Sequence, residues 1–101
     1  MNDLDICKRI AEIEGYKVNL SIKCEGVWCS RYDNNCYGIY NPLTDDALCF
    51  KLMIKYRIEV FPLGKTLWCA WDSINLDTRT NHDNLNKAIC LAIIKVNKGG
   101  L

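Results

Sequence analysis

The stretch RIEVFPLGKTLWCAWDSI, residues 57–74, decides the fold class. Its two halves, RIEVFPL (57–63) and TLWCAWDSI (66–74), are rich in β-branched and aromatic residues, and Gly64-Lys65 lies between them. Extended runs joined by so short a connection form a β-hairpin, because parallel strands need a crossover of a dozen or more residues. Pro62 has no N–H to give to a ladder, so the first strand lies at a sheet edge or stops pairing there.

Upstream of the hairpin, Asn41-Pro42 ends a strand and opens a helix, since Pro42 forces extended geometry on Asn41. Thr44 is placed to cap that helix, with Asp45 and Asp46 in its first turn against the positive end of the helix dipole. The body, ALCFKLMIKY (47–56), is apolar on nearly every side except at Lys51 and Lys55. That is the pattern of a buried helix, and the segment 45–56 is expected to be the central and most buried one. Residues 16–23, YKVNLSIK, alternate Val18, Leu20 and Ile22 with Lys17, Asn19, Ser21 and Lys23, which reads as a strand with one dry and one wet face. A turn at Glu25-Gly26, a strand VWCSRY (27–32), a turn at Asp33-Asn34-Asn35 and a strand YGIY (37–40) follow. The chain opens on a helix capped by Asp3 or Asp5. Ile6, Ile10 and Ile13 form its apolar stripe, widened by Leu4, Cys7 and Ala11, and Gly15 stops it.

Downstream, NLDTRTNHD (75–83) reads as a polar loop, and LNKAICLAIIKV (85–96) as a helix capped by Asn84. The order is α-β-β-β-α-β-β-α: three helices with a mainly antiparallel five-stranded sheet, an α+β domain spanning 1–101.

Half of the residues are hydrophobic and a quarter charged, the composition of an ordinary globular domain. Thirteen basic against twelve acidic residues give a formal net charge of +1, without the basic excess by which a nucleic-acid module neutralises phosphates. The start, MNDLDICKRI, lacks the basic and apolar blocks of a signal peptide. The longest apolar run, 88–94, falls short of the roughly 20 residues a membrane helix needs. The expected location is the cytoplasm, with no membrane partner.

Of the seven cysteines, Cys24, Cys29 and Cys36 fall within thirteen positions. Structural zinc is usually held by two close ligand pairs; here the gaps are C-x4-C and C-x6-C, and His82 is far downstream. In reducing cytosol the reading is free thiols that behave as small apolar side chains, with no metal and no cofactor. Cys36, in its polar turn, is the candidate for an exposed thiol. DICKRI, ALCFKL and AICLAI each carry a cysteine on a predicted helix, three residues before an aliphatic one; each helix would present a small residue where it packs.

The segment YNPLTDDALCFKLMIKY (40–56), with NKAICLAII (86–94) and the opening ICKRIAEIEG (6–15), resembles the phage ABA sandwich domain family. These are small phage and prophage proteins, distantly like the NinX-type phage proteins. The three segments lie at the start, middle and end of the chain, whereas 16–40 and 57–82 match only in outline. The resemblance implies an α/β/α sandwich made inside a bacterial host. It carries no established activity and no catalytic or metal residues, and the Cys24–Cys36 cluster is not part of its pattern.

Catalysis needs a nucleophile, a base and an oxyanion donor within reach. His82 is the one histidine, beside Asp83 in the polar loop, and reads as a solvated residue; no phosphate loop or dinucleotide fingerprint occurs. No catalytic residue is assigned. The aromatic residues are the better candidates, since tryptophan and tyrosine are enriched at binding hot spots. Three short helices barely cover both faces of five strands. An uncovered strip bearing Trp28, Tyr32 or Trp68, rimmed by Arg31 and Lys65, is the expected contact for an unidentified host or phage protein. The expected role is a non-enzymatic protein-binding accessory module. The alternative is a single-stranded nucleic-acid binder that stacks bases on the same rings.

Overall fold

The computed structural model describes residues 2–19, 27–30 and 37–99. Helices α1 (Asp3–Ile13), α2 (Asp46–Lys55) and α3 (Leu85–Gly99) and antiparallel strands make the chain α+β, as expected. The chain divides into two compact units, Met1–Pro42 and Leu43–Leu101. Among the described residues the strands form two three-stranded sheets, where one five-stranded sheet was expected.

In the first unit, β1 (Lys17–Asn19), β2 (Val27–Ser30) and β3 (Tyr37–Tyr40) pair in chain order, Val18 opposite Cys29 and Cys29 opposite Gly38. The predicted strand 16–23 is described only over Lys17–Asn19, and its later residues lie outside the described ones. Helix α1 packs on β1 and β2 and buries Ile6, Cys7, Ile10 and Ala11, whose spacing of three and four puts them on one face. Leu4, expected in that stripe, is exposed. The cap is Asn2, not an aspartate of the first turn: Asp5 N donates to Asn2 Oδ1 at 2.8 Å, and Asp5 Oδ2 accepts from Asn2 N at 3.3 Å. This reciprocal box satisfies two amides at once, which a cap at Asp3 or Asp5 would leave open. Gly15 ends the helix at φ +83°, a conformation that suits a residue without Cβ.

In the second unit, β4 (Ile58–Leu63) and β5 (Leu67–Asp72) form the predicted hairpin, and β4 is an edge strand, where Pro62 costs no ladder bond. The other edge is β6 (Thr80–His82), in the segment read as loop. Three polar residues show no alternation to read. Their order comes from tertiary bonds: buried Thr80 Oγ1 donates to Ala88 O at 2.7 Å, tying β6 to α3. The approach from β5 is set by a 3₁₀ turn at Leu76–Thr78, where Thr78 Oγ1 accepts from Asp72 N at 2.7 Å and donates to Asn75 O at 2.7 Å.

The most buried helix is α3, not α2. Ala88, Ile89, Cys90, Ala92, Ile93 and Ile94 are all buried, and α3 packs against all three strands of its sheet and against α2. Small residues at 88, 90 and 92 let its backbone come close to its neighbours. Helix α2 buries only Cys49 and Leu52. Its packing partners in this unit are α3 and β4, so one side is covered and the opposite apolar side is not. Phe50 is 57% exposed and Ile54 59%. The cap of α2 is Asp45, whose carboxylate accepts from Leu48 N at 3.1 Å; Thr44, one residue earlier, is not the cap. After Tyr56, Arg57 takes the left-handed position (φ +53°) where glycine is usual.

Candidate functional site

The flank of α2 next to its buried Cys49 and Leu52 forms one wall of a groove of about 770 Å³. Asp46, Phe50 and Met53 recur at spacings of four and three, so they stand in one row along the helix. The first turns of α3 form the other wall with Leu85 and Ile89, Val60 of β4 closes the floor, and Leu43 comes from the turn that precedes α2. Six of the lining side chains are apolar, five of them from three different elements and Leu43 from the turn before α2.

The polar lining gathers where both helices begin. Asn86 Nδ2 donates to Leu43 O at 3.2 Å and to Asp46 Oδ1 at 2.8 Å, joining the N-termini of α2 and α3. Asn84 caps α3 as expected, its Oδ1 accepting from Lys87 N at 3.0 Å. Asn84 N donates to His82 Nδ1 at 3.1 Å, and Asp83 Oδ1 lies 2.7 Å from the same nitrogen. His82 thus helps shape the entry to α3.

Behind the α2 wall two thiols meet. Cys49 is 1% exposed and Cys90 is fully buried. Cys49 Sγ donates to Asn86 O at 3.7 Å, and the Cys90 thiol hydrogen-bonds to Cys49. That bond holds the Cys49 thiol below its ordinary value of 9.0, against burial and the carboxylates of Asp46 and Asp45, which all raise it. Cys7 and Cys69 are also buried thiols, so each of α1, α2 and α3 does present a cysteine to a packed interior. Of the close-spaced trio, Cys24 and Cys36 lie outside the described residues, and Cys29 is described only as a strand position. Among the described residues no group of three or more His, Cys, Asp and Glu could hold a metal ion.

The residues expected to form the aromatic strip are spread over the chain. Trp28 is in β2, opposite Asn19 and Ile39. Arg31 and Tyr32 lie outside the described residues. Lys65 is exposed in the β4–β5 turn, and Trp68 is half-buried in β5, opposite Pro62 and His82. By alternation Trp68 shares a sheet face with Ala70, and so with Val60, which pairs with it; Trp71 is on the other face, edge-on to Phe61 at 4.7 Å. Trp68 therefore lies one pair beyond the groove floor. Phe50, Met53, Val60, Leu85 and Ile89 escaped the sequence reading. The available signal was the all-round apolar surface of 47–56: a ten-residue helix with one covered side must leave apolar residues outside.

Compared with protein-family models, with curated proteins and with solved structures, the chain has no significant match in any of the three.

Proposed function

We propose that this protein is a non-enzymatic protein-binding module that takes an apolar side chain of its partner into the groove between α2, β4 and α3. One observation carries the reading: Phe50 stands 57% exposed at the mouth of a groove floored by Val60 and walled by Met53, Leu85 and Ile89. Covering an exposed aromatic ring on a concave apolar surface lowers the free energy by about 25 cal/mol per Å² of apolar area removed from water. The groove is built on helix and strand positions, so little order has to be created on binding. The resemblance of 6–15, 40–56 and 86–94 to the phage ABA sandwich domain family supports a setting in the cytoplasm of a bacterium that carries a phage or prophage. The partner is then a host or phage protein.

The test is affinity capture from nuclease-treated bacterial lysate with the wild-type chain and with Phe50→Asp. Partners held by the wild type and lost by the folded variant support the groove. Partners held equally by both refute it. Binding of a single-stranded oligonucleotide that falls steeply between low and moderate salt would favour the nucleic-acid reading instead.

A further inference from the structure

We infer that the segment entering the groove is a polypeptide stretch with a lysine or arginine close to a large apolar anchor. This rests on the reading of the groove as a protein-binding site. The apolar lining asks for the anchor, and the mouth specifies the charge beside it. Asp46 and Asp83 are both exposed at the mouth, Asp83 with its Oδ1 2.7 Å from His82 Nδ1. Asp46 is bonded to a neutral amide, that of Asn86, at 2.8 Å. Lys87, on the same turn of α3, lies by helical spacing on the side away from Leu85 and Ile89.

Helix N-termini ordinarily attract anions. Here amides of both first turns already have acceptors: Leu48 N is capped by Asp45 and Lys87 N by Asn84. What the mouth offers outward is carboxylate, which repels an acidic segment and attracts a basic one. A polypeptide suits this surface better than a small cation, because the apolar row continues past the groove along α2 to Ile54, which is 59% exposed. An amphipathic helix laid along α2 would cover Phe50 and Ile54 together and bring its basic residue to Asp46 and Asp83.

The test is to pan a random-sequence peptide display library against the full chain and measure the enriched peptides in solution by fluorescence anisotropy. The expected winners pair a Trp, Phe, Leu or Met with a nearby Lys or Arg, and bind less tightly as salt rises. Asp83→Asn, at an exposed position, should weaken them about two- to fivefold, the range of a rim ion pair. Phe50→Ala should abolish their binding, with folding of both variants checked by circular dichroism. Winners that lack basic residues, or whose affinity is unmoved by both Asp83→Asn and Asp46→Asn, overturn this inference and leave the groove standing. A library with no winners, or winners that bind Phe50→Ala as well as the wild type, overturns the groove reading too. A small apolar amine that binds where no peptide does overturns the choice of a polypeptide.

Discussion

Truncating Ile93 tests whether α3 is the keystone of its unit. Its side chain is fully buried in a helix that packs on all three strands of its sheet. Ile93→Ala removes three carbons, about 2.4 kcal/mol of transfer free energy at ~0.8 each. A residual void of about 50 Å³ adds about 1 kcal/mol, and the better helix propensity of alanine returns about 0.4. The expected loss is about 3 kcal/mol, a large share of the stability of a domain this size. Ile54 is the matched control on α2. At 59% exposure it surrenders only about two fifths of the same transfer term, and after the propensity gain the loss is about 0.6 kcal/mol. Urea unfolding, followed by far-ultraviolet circular dichroism, reads both. Should Ile93→Ala prove too unstable to purify, Ile93→Val should still cost about 0.5–1.5 kcal/mol. Losses for Ile93→Ala and Ile54→Ala within 0.5 kcal/mol of each other, on the order of the uncertainty of such comparisons, would refute the assignment of α3 as the buried helix.

Other consequences follow from single residues. Arg57→Gly relieves a side chain held at φ +53° and should raise stability by about 0.5–1 kcal/mol in the same urea assay, with no gain if the strain is absent. Thr80→Val keeps the shape but deletes the 2.7 Å bond to Ala88 O, and should cost about 0.5–1.5 kcal/mol in thermal unfolding. Cys90→Ala removes the donor that lowers Cys49, leaving burial, Asp46 and Asp45, so the Cys49 thiol should titrate higher by ultraviolet thiolate absorbance, read against Cys90→Ala/Cys49→Ala. Because the folded Cys49 releases its proton more readily than the unfolded one, its contribution to wild-type stability is present above the unfolded value and lost as pH falls through the folded one. In Cys90→Ala that trend should reverse.

Much of the fold was legible because its signals are local. The hairpin 57–74, the edge position of Pro62, the stop at Gly15 and the cap at Asn84 each follow from a few neighbouring residues. What escaped depends on distant partners. Strand β6 has three polar residues and takes its order from β5 and from the Thr80–Ala88 bond. The rank of the helices was misread because an all-round apolar sequence says that a helix could be buried, not that enough structure exists to bury it. Phe50 shows the difference: the same residue that suggested a core helix is the exposed wall of the groove. Trp68, one of the residues expected in the strip, shares its sheet face with Val60 and the groove floor.

The central claim is that a partner meets the groove at Phe50 and not the aromatic strip. Site-specific photo-crosslinking in living bacteria addresses it directly, with a benzophenone amino acid placed at position 50 or at position 65. Both positions are exposed, so the probe disturbs neither core. Irradiation should give a discrete protein adduct from position 50 and none from Lys65 in the β4–β5 turn. Adducts from position 65 with none from position 50 would contradict the account.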